Sequence, residues 1–257
     1  MTLALSNQEM LQIWETGQGR HPIEQALIIL ESTFPEMSRD ALAALSIGQR
    51  DSYLLAVRAY TFGSRLMALA TCPQCREQVE CMLDMAAMGL VPDIPAKAMH
   101  ANSSFTDTSN EPQQVTIDGY EVHFRLPNSL DLAAIANGQD VGGARNRLIQ
   151  YCIAQAYHDS LPVAVEALPE PVIEAVTAQM AERDPLAEMQ LELNCTACGH
   201  SWQSVFDITT FLWREISMEA KRLLREVHIL AQAYGWREAD ILSMSPARRQ
   251  LYIEMVS

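Results

Sequence analysis

Positive charge is scarce in this sequence. Lys and Arg number 18 against 32 Asp and Glu, a formal charge of -14. A surface of that sign repels phosphate backbones, so general nucleic-acid binding is not expected. No apolar run approaches the roughly 20 residues that a bilayer span needs, so no membrane span is expected. The opening MTLALSNQEM has no basic n-region and no long apolar run. No signal peptide is therefore expected, and the cytoplasm is the expected compartment. Catalytic signatures are missing too: there is no G-x-x-x-x-G-K-[ST] loop, no H-E-x-x-H and no G-x-S-x-G elbow. Gly142-Gly143 is an isolated pair near a helix start and reads as a turn. His158-Asp159-Ser160 are sequence neighbours, which is poor geometry for a triad, and Glu226-Val227-His228 offers a single His. No enzymatic activity is expected.

What is present is core-forming material. Hydrophobic residues make up 49% of the 257 residues, enough for one large or two small domains with a sizeable core. The first third reads as helices. His21-Pro22 precedes Ile23, Ala26, Leu27 and Leu30 at helical spacing; Ser38 opens a second helix with Leu42 and Leu45; Leu54 to Tyr60 suggests a third, ended near Gly63. From Arg65 the pattern alternates, giving strand, Cys72-Pro73-Gln74-Cys75, and strand again through Val79, Cys81 and Leu83. Residues 100–113 are rich in Ser, Thr and Asn and read as a linker. Val115 and Ile117, then Asp118-Gly119, then Tyr120, Val122 and Phe124 spell a β-hairpin. Helices are expected over Leu130–Ala136, Ala144–Ala156 and Pro171–Met180. Met189, Leu191 and Leu193 alternate into Cys195-Thr196-Ala197-Cys198, and Trp202, Val205 and Phe206 alternate out. The longest helix runs from about Thr209 to Tyr234 along a stripe that includes Leu212, Ile216, Leu223 and Leu230, and Gly235 ends it. Ser245-Pro246 starts a last short helix.

Six cysteines in a long chain without secretory signals point to a reducing compartment, where paired cysteines are more often metal ligands than disulfides. A structural zinc wants four soft or borderline ligands in a tetrahedron. Cys72, Cys75, Cys195 and Cys198 form two Cys-x2-Cys knuckles, each entered and left by alternating residues. Asp84 and Asp207 lie equally far past the first cysteine of each. That is the pattern of two equivalent half-sites of a zinc ribbon, with residues 76–194 looping out between them. A closed four-thiolate shell would contribute stability and leave no position for hydrolytic chemistry. The competing reading is reduced buried thiols or a redox pair, although neither knuckle directly precedes a helix as a thioredoxin-like motif would. His200 is an alternative ligand in place of one thiolate. Cys81 and Cys152 read as small core residues. Trp213, Trp236 and Tyr252 read either as core or as contact residues, and Arg248-Arg249 with Tyr252 either as a docking face or as a solvated helix end.

LLREVHILAQAYGWREADILSMSPARRQLYIEMV (223–256) resembles the tail of the T-even phage family of baseplate hub assembly chaperones, with relatives in contractile phages and phage-tail-like injection systems. Tyr234, Gly235, Trp236, Glu238, Ile241, Leu242, Ser245, Arg248, Arg249 and Tyr252 carry that likeness. FRLPNSLDLAAI (124–135) looks like a second family block, and IGQRDSYLLAVRAYTFG (47–63) ahead of the first knuckle resembles the zinc-ribbon-bearing members. The resemblance implies a non-enzymatic assembly factor or structural component of a contractile-tail baseplate hub. Its implied partners are baseplate hub, spike or tape-measure proteins, and it leaves open whether the chain stays in the finished particle. The rival from another class is a zinc-ribbon nucleic-acid-binding or transcription accessory protein, which the negative charge disfavours.

The expected fold is α+β, mostly helical, with a split zinc ribbon of two knuckles on β-hairpins and a helical C-terminal module. Five segments follow: an N-terminal helical segment (1–63), the first half of the ribbon (64–90), an insertion with a β-hairpin and helices (91–185), the second half of the ribbon (186–208) and the C-terminal helical module (209–257). Zn2+ is the expected cofactor, held by Cys72, Cys75, Cys195 and Cys198. Trp236, Arg248, Arg249 and Tyr252 are the expected partner-binding residues.

Overall fold

The structure, a computed structural model, describes residues 3–90, 113–136 and 141–256. Four helices open it: α1 (Asn7–Gly17), α2 (Pro22–Thr33), α3 (Arg39–Ala44) and α4 (Ile47–Phe62). Their starts are written in the sequence as caps. The Ser6 hydroxyl accepts the Glu9 N–H while the Glu9 carboxylate accepts the Ser6 N–H, and Ser46 with Gln49 repeats the arrangement ahead of α4. No expectation above specified α1, although Met10, Ile13 and Trp14 stand at helical spacing behind the Ser6/Glu9 box and pack into the core.

The antiparallel hairpin β1 (Arg65–Thr71) and β2 (Gln78–Asp84) follows. A four-stranded antiparallel sheet is then built from β3 (Gln113–Ile117), β4 (Tyr120–Phe124), β5 (Ile153–His158) and β6 (Leu161–Pro162), in that order. The helices α5 (Ser129–Ile135) and α6 (Val141–Cys152) lie between β4 and β5, and α7 (Glu170–Arg183) follows β6. A second antiparallel hairpin, β7 (Gln190–Asn194) and β8 (Ser201–Val205), leads into α8 (Ile208–Tyr234), and α9 (Glu238–Leu242) and α10 (Pro246–Glu254) close the described chain.

Several expectations need correction. The helix expected over Ala144–Ala156 stops at Cys152, because Ile153–His158 pairs with β4 through a register shift at His123/Phe124. Gly142-Gly143 lies in the first turn of α6 rather than in a turn of its own. The linker reading at 100–112 falls outside the described residues, and Gln113 already belongs to β3. His158-Asp159-Ser160 is the β5–β6 turn, where Asp159 (φ 48°) and Ser160 (φ 68°) hold left-handed conformations.

The cores show which elements depend on one another. The largest joins α1 to α4 with Leu66, Met85 and Met189 from around the hairpins and Ile208, Leu212 and Ile216 of α8. The α8 helix thus closes the N-terminal core although it lies far downstream in the chain. A second core (Val122, Phe124, Ile149, Val172, Val176 and others) lies wholly within the inserted stretch. A third joins Leu11 of α1 to Ala220 and Leu223 of α8 and Leu242 of α9. Polar clamps fix the junctions. Arg58, 3% exposed, donates to both carboxylate oxygens of Glu215 on α8 (3.0 and 2.9 Å) and to the carbonyls of Gly63 and Arg65 (2.7 Å each). It thereby ties α4, α8 and the start of β1 together. The Gly48 N–H donates to Asp184 (2.9 Å), fastening the end of the insertion to the N-terminus of α4.

Candidate metal centre

The two knuckles are built alike. The Cys72 N–H donates to the Glu77 carbonyl (2.9 Å), and the Arg76 N–H to the Cys72 carbonyl (2.9 Å). In the second turn the Cys195 N–H donates to the His200 carbonyl (2.8 Å), and the Gly199 N–H to the Cys195 carbonyl (2.9 Å). Arg76 (φ 64°) and Gly199 (φ 72°) occupy the same left-handed position, four residues past the first cysteine. The likeness continues downstream. Asp84 accepts the N–H groups of Ala86 and Ala87 (3.2 Å each), and Asp207 accepts the N–H of Thr210 (3.1 Å) as the N-cap of α8. Each aspartate starts the next turn of chain, which explains their equal spacing.

The two turns meet. The Sγ atoms of Cys72 and Cys198 are 3.7 Å apart, those of Cys75 and Cys195 3.5 Å, and all four lie within 4.8 Å of one another. A disulfide needs about 2.05 Å between sulfurs, and all six cysteines are free. A tetrahedron with metal–sulfur bonds of about 2.3 Å has sulfur–sulfur edges of about 3.8 Å, close to the two contacts observed. The donor set and its spacing therefore fit a four-coordinate metal ion. Cys72 and Cys195 are buried, with Val79, Cys81 and Trp202 packed around them, while Cys75 and Cys198 are exposed. Val79 and Trp202 are equivalent positions of the two hairpins, so each half supplies one apolar wall.

Burial works against a thiolate at Cys72. The N–H groups of Cys75 and Gln74 and the thiols of Cys75 and Cys198 outweigh it and bring the thiol down to about 7. At Cys75 the Glu77 N–H is outweighed by desolvation and by the three neighbouring thiols, and the thiol is pushed up to about 12. Crowded thiols ionise one at the expense of the next, and a cation at their centre removes that conflict. His200 stands outside the group of four; its ring stacks on Trp202 with centroids 6.2 Å apart. Cys152 is buried in the insertion core as expected, whereas Cys81 is only half-buried, against the thiol cluster.

The residues expected to bind a partner divide. Tyr234, Trp236 and Tyr252 form one aromatic cluster, with Tyr234 stacked on Trp236 at 4.4 Å and Tyr252 edge-on to both (5.7 and 4.9 Å). The exposed Arg248 covers the Tyr252 ring at 5.6 Å. Arg249 does not share this surface. It is completely buried, donating to Glu226 (2.7 Å) and to the Met244 carbonyl (2.6 Å), and so it joins α10 to α8 from inside. The acidic partner that draws it inward lies a few helical turns before Gly235. Trp213 belongs with the core, its ring lying against Gly17 of α1 where a Cβ would come within 2.5 Å.

Comparison with known proteins adds one match. A family model described as "T4 bacteriophage base plate protein" matches residues 6–213. The matched stretch contains both thiol pairs and the blocks at 47–63 and 124–135, and it ends within α8, ahead of the C-terminal block at 223–256. Neither the curated proteins nor the solved structures give a match. With most of its length aligned, from the first helix through the paired knuckles, the chain belongs to the T4 bacteriophage base plate protein family.

Proposed function

We propose that the chain is a non-enzymatic assembly factor or structural component of a contractile-tail baseplate hub, braced by one structural zinc bound through Cys72, Cys75, Cys195 and Cys198. The observation that carries this reading is the convergence of two distant thiol pairs inside a stretch matched by a baseplate family. Zinc held by four thiolates supplies a cross-link and leaves no coordination position for a substrate. The chain's own residues do the rest: they form matched turns, wall the sulfurs with Val79 and Trp202, and hand the chain on through Asp84 and Asp207. The five segments proposed from the sequence, 1–63, 64–90, 91–185, 186–208 and 209–257, gain support from the separate core within the insertion. The first and last of them share apolar cores through α8. The proposed partners are hub, spike or tape-measure proteins of the same tail, in the cytoplasm of a bacterial or phage-infected cell. The proposed contact surface is Trp236, Arg248 and Tyr252 with Tyr234, held in place by the buried Arg249.

Two measurements test this. Metal analysis of freshly purified protein should give one zinc per chain, lost on Cys75→Ser or Cys198→Ser; a metal-free wild type that is folded would overturn the zinc assignment. Tails produced without this gene should lack complete baseplates and regain them on complementation. Normal, infectious or injecting tails in its absence would overturn the assembly role.

A further inference from the structure

The two hairpins share one build around their thiol turns, which provides an internal control for their outer faces. On the first, Met67 pairs across the strands with Met82, and Leu69 with Glu80. Met67, Leu69 and Met82 are 67%, 68% and 70% exposed and form one apolar patch. On the second hairpin the positions equivalent to Met67 and Leu69 are Gln190 and Glu192, and Gln203 faces Glu192 as Glu80 faces Leu69. Only Val205, opposite Gln190, is apolar there. The same scaffold with the same metal-ligand turn thus folds with a polar outer face, so the Met/Leu face is not a requirement of the hairpin. Among the described residues the β1–β2 sheet has two strands and nothing packed over this face.

The surroundings select the occupant. Three side chains offer on the order of a few hundred Å² against the roughly 800 Å² per partner of a stable complex, too little to hold two folded copies by itself. Two copies would also bring together chains of formal charge -14. Of the charged residues on this hairpin, Arg76 and Glu77 lie in the turn and Arg65 is 4.0 Å from Asp84, which leaves Glu80, opposite Leu69, as the carboxylate beside the patch. Methionines adapt their shape to what they meet. We infer that the outer face of β1–β2 is a docking site for a short, basic, amphipathic helix of a second tail protein, its apolar side on Met67, Leu69 and Met82 and its cations toward Glu80. The baseplate reading bears only on where that helix comes from; the binding chemistry stands without it.

The test is fluorescence anisotropy with the full, metal-loaded chain and a fluorescein-labelled Leu/Lys peptide patterned as an amphipathic helix. A Ser/Lys peptide of equal charge serves as control. The wild type should bind the Leu/Lys peptide, and Met67→Gln/Met82→Gln should weaken binding by roughly tenfold or more. Val205→Gln, on the equivalent face of the other hairpin, should leave it unchanged. Metal content and thermal midpoint establish that each variant is folded, and Leu69→Gln serves if the double variant is not. Absence of binding, equal binding by the variants, or equal binding of the Ser/Lys peptide overturns the proposal. A concentration-dependent dimer dispersed by Met67→Gln/Met82→Gln also overturns it, assigning the face to a second copy.

Discussion

At the scale of single residues, buried charge is where this chain is most exposed to damage. Asp51 lies beside Arg50 (2.7 Å) with both side chains nearly buried, and burial pushes the Asp51 carboxyl up to about 6 despite that cation. A raised carboxyl binds its proton more tightly folded than unfolded. Its contribution is therefore complete below the ordinary carboxylate value of about 4 and is lost as pH rises through about 6. Denaturant unfolding at a series of pH values should show the wild type losing about 3 kcal/mol relative to Asp51→Asn across that window, with a constant difference outside it. Burial likewise raises Asp184, which holds the α4 N-terminus through the Gly48 N–H. A Cβ on Gly48 would come within 2.0 Å of the Asp184 carboxylate. Gly48→Ala should thus push that carboxylate away and destabilise the protein by about 1–3 kcal/mol, read from the denaturation midpoint. Arg249→Met leaves Glu226 with only the outer Arg222 (3.3 Å) and should cost about 3 kcal/mol or more.

At the scale of elements, the paired knuckles allow a matched experiment. Arg76 and Gly199 share one left-handed backbone position, which a side chain strains by about 1 kcal/mol. Arg76→Gly should raise the stability of the metal-loaded protein by up to about 1 kcal/mol, and Gly199→Ala should lower it by a similar amount. Much at this scale was legible in the sequence because it is local. Asp118-Gly119 takes the positive φ angles of a tight hairpin (49° and 80°), Gly235 ends α8 in the left-handed region, and Ser245 caps α10. What was not legible depends on distant partners. Ile153 and Ala156 continue the helical spacing of α6, and only pairing with β4 turns them into a strand. Arg249 reads as a surface cation because nothing nearby in sequence announces Glu226. The thiol pairs were readable by spacing, yet their meeting is a property of the fold.

At the scale of the whole molecule, α8 and the thiol cluster both bind late residues to early ones. Stripping the proposed metal with a strong chelator should lower the thermal midpoint sharply, since metal binding of this kind contributes on the order of 10 kcal/mol. If the loss is confined to the two hairpins, near-UV circular dichroism from the Trp213 region will persist. If the hairpins are coupled to the N-terminal core, into which Met85, Met189 and Ile208 at their ends pack, it will collapse with them. Order of synthesis gives the same connections a temporal meaning. The helices α1 to α4 leave the ribosome with part of their apolar sides bare, because Met189, Ile208, Leu212 and Ile216, which complete their core, are encoded more than a hundred codons later. At bacterial translation speeds that interval lasts on the order of ten seconds, during which nascent-chain chaperones have an open substrate.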